Sequence, residues 1–432
     1  MARIKIVYLG GGSSRGAGTM ASLLEQGANF NGSEVVLVDL EPDRLAVVQK
    51  IAAKIARNKG LDITITTSTD RRAALRDCDA VLSSFRPGGF EARYLDESIP
   101  LKHGVLGQET QGPGGFFMAL RSIHVLKQTL ADMEEICPNA RLFNYTNPVN
   151  IVAQAVSRNS PIPVVSLCEG PITFYHWFGQ AAGLDIAKMD VTMIGLNHAC
   201  WSIHHEYEGQ DIIPILAEAL ARRQAEPNPD PYTLRMLKLA VTMNSIPASY
   251  FQYYYYNDEV LNELRERSTT RAQDIMSGLP DYWTHYREQA ESDAPQLDPR
   301  RSRGGVHELE LALDVMDAYY NDRGEVWPVN TPNRGAMPDF PDDFVVEVPG
   351  YVDRHGITPL VQNHMPPQTL GLLKALGEYQ SLAADAAWAG TRTDAIRALA
   401  SNPLVLSLSK AETIYDEMAG ALQEYLPARL LK

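Results

Sequence analysis

Residues 4–16 read Ile4-Lys5-Ile6-Val7-Tyr8-Leu9-Gly10-Gly11-Gly12-Ser13-Ser14-Arg15-Gly16, and residues 34–40 read Glu34-Val35-Val36-Leu37-Val38-Asp39-Leu40. The first stretch is a β-branched apolar run that feeds a glycine turn, and helical spacing follows from Thr19 to Leu24. The second is a buried strand that ends in Asp39. Strand, glycine turn, helix and strand ending in an acid make a βαβ unit of the dinucleotide-binding kind. Glycines let a backbone approach a pyrophosphate, helix amides then point at it, and the acid accepts hydrogen bonds from a ribose diol. Gly10 and Gly12 fit G-x-G, whereas Arg15 stands where the third glycine is expected. A tight turn in an α/β domain that binds nothing is the alternative.

Outward from this unit the alternation continues: helical 42–58, strand-like DITITTS, a short helix, and the strand CDAVLSSF. RLFNYTNP and PVVSLCEGP follow, each an apolar strand ending in polar groups. Such a chain predicts a doubly wound parallel sheet with ligands at the carboxyl ends of its strands. That placement puts Thr146, Asn147, Cys168 and Glu169 on the ligand edge. Between them, Arg86 to Gly115 holds seven glycines and three prolines. It is expected to be an ordered active-site loop carrying Arg86, Arg93, Glu109 and Thr110; a solvated surface excursion is the other reading.

Beyond His198 long helical segments are expected at 213–224, 232–256, 258–277 and 281–292. A β-like region follows at 326–360, then helices at 366–386 and 390–425. The predicted fold is therefore α/β: an N-terminal Rossmann-like doubly wound sheet over 1–196 and a mostly helical α+β domain over 197–432, with the site in the cleft between them.

Cys168 and Glu169 follow the apolar run PVVSL, and Asn197 and His198 follow VTMIGL. A thiolate, a carboxylate and an imidazole converge if these runs are neighbouring strands ending on one edge. Cys with His is a metal-ligand pair and the acid a proton-transfer group. A Cys after a strand is also commonly core, and both readings stand on these residues alone. In SIPASYFQYYYYNDEV five tyrosines fall within seven residues. Most belong to packing, but one phenol near a cation can act as a base.

The 432 residues are 45% hydrophobic and 21% charged, with a net charge of −14 and a pI near 5.2. This acidity argues against nucleic acid and anionic membranes as partners. Four unpaired-looking cysteines, the absence of a cleavable leader and the absence of a spanning run point to a cytoplasmic protein.

The order of these motifs resembles glycoside hydrolase family 4, the NAD- and metal-dependent glycosidases that include 6-phospho-α- and 6-phospho-β-glucosidases. KIVYLGGGSS, RPGG…R…DESIPLKHGVLGQETQGPGG, NYTNP, CEGP, GLNH, the Tyr-rich helix, RGG and PDDFVVEVPGYV carry the resemblance nearly end to end. It implies oxidation at the sugar's third carbon by NAD, loss of the proton on the second carbon, elimination of the glycosidic oxygen, water addition and re-reduction. This NAD-dependent family is an exception to the two-carboxylate scheme of other glycosidases. The resemblance implies Cys168 and His198 as metal ligands and Tyr250 as the base. It implies Gly10, Gly12, Ser13, Ser14, Asp39, Arg86 and Asn147 at the cofactor, and Arg93, Asn147, Asn197 and Arg303 at the substrate. Its metal is Mn²⁺ or another divalent ion, although a thiolate ligand alone would suggest Zn²⁺ or Fe²⁺. The family also implies a homodimer or homotetramer.

Two departures bear on the substrate. The residue after the metal-binding Cys is Asp in 6-phospho-α-glucosidases, Asn in 6-phospho-β-glucosidases and His in several non-phosphorylated α-glycosidases; here it is Glu169. A carboxyl can protonate the leaving group, which favours an α-glycoside with an anionic group, phosphate, at carbon 6. The family's Ser-x-x-Thr-Pro is replaced by Ser13-Ser14-Arg15-Gly16-Ala17, so Arg15 is a candidate for that anion. The alternatives are a 6-phospho-β-glucosidase or an α-glycosidase for a uronate or sulfosugar. An NAD-dependent 2-hydroxy acid dehydrogenase stands further off.

Overall fold

The structure is a computed structural model that describes residues 1–302 and 310–432. Among these residues one sheet holds twelve strands. Six come from the first half: β1 (Lys5–Leu9), β2 (Ser33–Val38), β3 (Ile63–Ser68), β4 (Ala80–Ser83), β5 (Arg141–Asn144) and β6 (Val164–Ser166). They lie in the order 3-2-1-4-5-6 and are all parallel, the Rossmann order. The sheet then continues through β7 (Met189–Leu196), β8 (Ala199–Tyr207), β9 (Gln210–Asp211), β10 (Glu325–Pro332), β11 (Val345–Asp353) and β12 (Gly356–Pro359). These pair antiparallel, in the order β6-β10-β11-β7-β8-β9, with β12 on β11.

Alternation along each strand sends side chains to two apolar layers. Val7, Leu9, Val36, Val38 and Val81 face the helices Gly112–Ile136 and Pro367–Trp388. Ile6, Tyr8, Val35, Leu37 and Leu82 face the helices Gly16–Glu25 and Pro42–Asn58. With helices on both faces, the parallel strands are apolar on both sides, which is why they read as continuous hydrophobic runs.

Three expectations are corrected. First, the runs before Cys168 and His198 are not neighbouring strands, because β10 and β11 lie between β6 and β7. β10 meets β6 only at Asn330–Ser166, and β11 meets β7 only at Glu347–Gly195. The ladder pairing is confined to these two points. Second, the segment 86–115 is not a long loop: Gly89–Lys102 is helical, and a helix restarts at Gly112. Its glycines sit at helix ends, where Gly88, Gly89, Gly104 and Gly112 take positive φ. Third, the expected helix 232–256 breaks after Met243, since Ile246 and Pro247 lie against β8. The expected helices 258–277 and 281–292 are instead Asn257–Glu266 and Arg271–Glu291: the break falls before a Thr270–Gln273 capping box, and the second helix runs through Pro280.

Candidate active site

The carboxyl ends of β4, β5 and β6 are stitched together by buried polar side chains. Ser83 Oγ donates to Asn144 Oδ1 at 2.8 Å, and Asn144 Nδ2 donates to Ser166 Oγ at 2.9 Å. Gly10 has φ +96 and lies so close to the Ser84 carbonyl that a Cβ would collide with it. A Cβ on Gly12 would lie 2.9 Å from Asp39 Cβ, and the Gly12 amide donates to Asp39 Oδ2 at 3.0 Å. Ser13 Oγ is buried with no hydrogen-bond partner among the described residues. An open backbone turn, an acid and an orphaned hydroxyl beside a helix start fit the pyrophosphate and ribose of a dinucleotide.

Just beyond the carboxyl ends of β6 and β7, Cys168 and His198 meet. The two-residue turn Asn197-His198 joins β7 to β8, pairing Leu196 with Ala199, and His198 takes φ 61 there. Gly195 has φ 146, and a Cβ on it would press on the Ala199 carbonyl oxygen at 2.5 Å. The turn brings His198 Nε2 to 3.5 Å from Cys168 Sγ. Burial pushes the Cys168 thiol up, with Glu347 and Glu169 adding to it. Burial lowers His198 to about 4, leaving a neutral imidazole. Among the described residues no third His, Cys, Asp or Glu completes a cluster with them. A soft thiolate and an imidazole, with further positions open to water or substrate oxygens, fit a catalytic metal site.

The Tyr250 ring stacks on His198, with centroids 3.8 Å apart and planes within 7°. Tyr250 lies in the short turn Ser249–Phe251, held edge-on by Phe174. Burial raises its phenol well above 10, with Cys168, Tyr253 and Glu109 adding to this and Arg93 opposing it. A cation nearby would favour the phenolate that a base requires.

Glu109 organises the charged flank. It pairs with Arg86, and its Oε2 is 2.7 Å from Arg93 Nη1. Arg93 is buried and also donates through Nε to Glu97 at 2.8 Å. Burial disfavours the ionised Glu109, but Arg86, Arg93 and Arg15 together hold its carboxyl well below the usual range. Asn147 Nδ2 lies 3.3 Å from Glu109 Oε1. Arg15, Arg86, Arg93, Asn147 and Tyr250 thus surround one carboxylate. Thr110 Oγ1 lies 2.8 Å from His198 Nδ1, tying the segment to the thiol–imidazole pair.

Glu169 accepts a hydrogen bond from Tyr145 Oη at 2.8 Å. Asn197 is buried and donates to Glu347 Oε1 at 2.8 Å, and Asn330 donates to the same atom at 2.9 Å. Burial raises Glu347 to about 7. Tyr145 and Glu347 escaped the reading of the sequence. A lone acid inside the apolar run FVVEVPG was the available signal for Glu347; Tyr145 offered none beyond its place beside Thr146-Asn147. Arg303 lies outside the described residues.

Residues 5–183 match the family described as family 4 glycosyl hydrolase, and residues 193–405 match its C-terminal domain. The chain is 35% identical to a Bacillus subtilis (strain 168) protein named "Probable 6-phospho-beta-glucosidase", covering 98% of this chain and 97% of that one. It is 30% identical to the 6-phospho-alpha-glucosidase of Leptotrichia buccalis, covering 99% of each. Among solved structures it is similar to the 6-phospho-beta glucosidase of Thermotoga maritima with manganese, NAD⁺ and glucose-6-phosphate. The TM-score is 0.84 at 25% identity, covering 98% of this chain and 99% of that one.

Proposed function

The chain belongs to the family 4 glycosyl hydrolases, and on that premise we propose that it hydrolyses an O-glycoside phosphorylated at carbon 6, the α-anomer in the first place. It is an NAD- and divalent-metal-dependent glycosidase. The observation that carries the residue assignment is the meeting of Cys168, His198 and Tyr250 at one strand end, with Glu169 next in the chain. Cys168 and His198 would hold the metal, and Gly10, Gly12, Ser13, Ser14, Asp39, Arg86 and Asn147 would hold NAD. When bound, NAD supplies a hydride acceptor and the metal polarises the sugar's oxygens.

In this reading Tyr250 Oη removes the proton on carbon 2 and Glu169 protonates the departing glycosidic oxygen. Tyr145 holds the Glu169 carboxyl in place. Asn197 is aligned by Glu347, and Arg93 with Arg15 directs positive charge towards the anionic group. Arg303 is a further proposed sugar contact from the sequence alone. The 1–196 and 197–432 halves would form the two walls of the cleft. No helix among the described residues is long and apolar enough to cross a membrane, and we place the enzyme in the cytoplasm as a homodimer or homotetramer.

Glu169 supports the α-anomer, because it can donate a proton to the leaving group. The β-named relative at 35% identity favours a second reading, a 6-phospho-β-glucosidase. One experiment decides between them: p-nitrophenyl α- and β-glucosides, with and without a 6-phosphate, incubated with NAD⁺ and Mn²⁺ in deuterated water. The expected result is release from the α-6-phosphate with deuterium at carbon 2 of the sugar. Turnover of the β-6-phosphate alone would reverse the anomer, and protium at carbon 2 would remove Tyr250's role.

A further inference from the structure

The QET segment, residues 108–110, holds a chain of hydrogen bonds whose direction can be read from one end. The backbone N–H of Thr110 can only donate, and it points at the Gln108 side-chain amide at 2.8 Å. The atom receiving it is therefore the amide oxygen, which fixes the amide's orientation. The same oxygen lies 3.0 Å from Thr110 Oγ1, and an amide oxygen can take part in that contact only by accepting the hydroxyl proton of Thr110. Gln111 Nε2, at 3.3 Å, also donates to that hydroxyl oxygen. What Thr110 Oγ1 offers to His198 Nδ1, 2.8 Å away, is a lone pair. An imidazole that turns a bare Nε2 to Cys168 carries its N–H on Nδ1, where that lone pair accepts it.

We propose that Gln108 and Thr110 are positioning residues that lock His198 in its Nδ1–H tautomer and turn the bare Nε2 lone pair towards Cys168. The inference deepens the proposed metal site and rests on that reading for its consequence, while the tautomer itself is read from the Gln108–Thr110–His198 contacts. Nε2 is the nitrogen 3.5 Å from Cys168 Sγ. An imidazole that gives its far N–H to a fixed acceptor holds its ring plane and gains basicity at the ligating nitrogen. Tyr250 stacks on one face of the same ring, so the relay also sets the plane on which the proposed base rests.

The glycines behind the segment have a place in this device. A Cβ on Gly114 would lie 2.6 Å from the Gln108 carbonyl oxygen, and one on Gly115 would collide with the Thr110 carbonyl carbon. The GPGG start of the 112–136 helix lets the Gln108–Thr110 turn seat on the helix end. Gln108 and Thr110 are thereby delivered by a rigid helix start.

The test uses ¹⁵N-histidine-labelled apoprotein, with His198 identified by the signal lost in His198→Asn. Solid-state ¹⁵N shifts are expected to show a protonated Nδ1 and a bare Nε2 in the wild type. Thr110→Val keeps the shape and loses the acceptor, so it should release the tautomer and weaken Mn²⁺ binding about 10- to 100-fold by electron paramagnetic resonance titration. Thr110→Ser should restore both. Circular dichroism checks that each variant is folded; should Thr110→Val fail to fold, Thr110→Ala carries the same expectations. A wild-type Nε2–H tautomer, or Mn²⁺ affinity unmoved in folded Thr110→Val, would overturn the proposal. A wild type with the Nδ1–H tautomer that binds no Mn²⁺ would instead sink the metal reading while the lock stands.

Discussion

At the scale of single residues, Tyr250 and Glu169 have in the proposed function two acid–base tasks separated by their environments. Tyr250 is buried against a thiol and a carboxylate, which raises its phenol well above 10, so it can act as a base only with a cation beside it. Tyr250→Phe should lower kcat by about 10²- to 10⁴-fold and abolish deuterium incorporation at carbon 2. Full turnover by that variant would dismiss it as the base. Glu169, held by Tyr145, has the opposite task of giving a proton. Glu169→Gln should therefore be slow on alkyl glycosides, whose leaving groups need protonation, and nearly spared on nitrophenyl ones. Equal losses on both substrates would remove the acid role, and Tyr145→Phe should move the same ratio in the same direction by a smaller factor. The sequence shows Cys168, Glu169, His198 and Tyr250 as candidates through chemistry and motif order. It is silent on Tyr145, because a tyrosine beside a strand end has no periodic or spacing mark that separates a hydrogen-bond donor from packing.

At the scale of elements, the decisive feature is the seam where β10 and β11 enter between β6 and β7. Single pairings at Ser166–Asn330 and Gly195–Glu347 hold the carboxyl ends of β6 and β7 to the inserted strands, and just beyond those ends Cys168 and His198 meet. Glu347 sits fully buried on the seam, and burial raises its carboxyl from 4.5 to about 7. Between these values the folded chain holds a proton that the unfolded chain has released, so the contribution of Glu347 to stability falls as pH rises. The shift corresponds to about 3 kcal/mol. Denaturant titrations of wild type and Glu347→Gln at pH 5 and pH 8 should show the wild type losing roughly that amount relative to the variant. A pH-independent difference would mean that Glu347 is ionised at both. The Rossmann half was legible because its apolar runs and glycine turn are local signals. The seam was not, because pairing Ser166 with Asn330 joins residues far apart in the chain and leaves no trace in periodicity. The broken helix near Pro247 shows the same limit: tertiary pairing with β8 overrides a helical pattern.

At the scale of the whole molecule, a boundary at residue 196 divides sequence signals more cleanly than it divides packing. The twelve described strands form one sheet across it. The apolar layer containing Val7, Val81 and Phe116 also contains Tyr379, Ala383, Leu399, Tyr415 and Met418 from the C-terminal helices. Phe117 packs on Tyr415 with ring centroids 5.3 Å apart, and Phe116 on Tyr379 at 6.4 Å. One face of the Rossmann sheet is thus covered by a helix of its own and by helices 200 or so residues later in the chain, a topology that amphipathic spacing alone does not specify. Removing residues 197–432 would strip that cover together with β10, which borders β6, and β11, which borders β7. The full chain should unfold in a single cooperative transition whose midpoint rises with NAD⁺ concentration. The fragment 1–196 should bind a hydrophobic dye, lack a sharp transition and show no NAD⁺-dependent shift. A fragment that melts sharply and is stabilised by NAD⁺ would make the N-terminal half an independent folding unit, and the shared layer an interface between two domains.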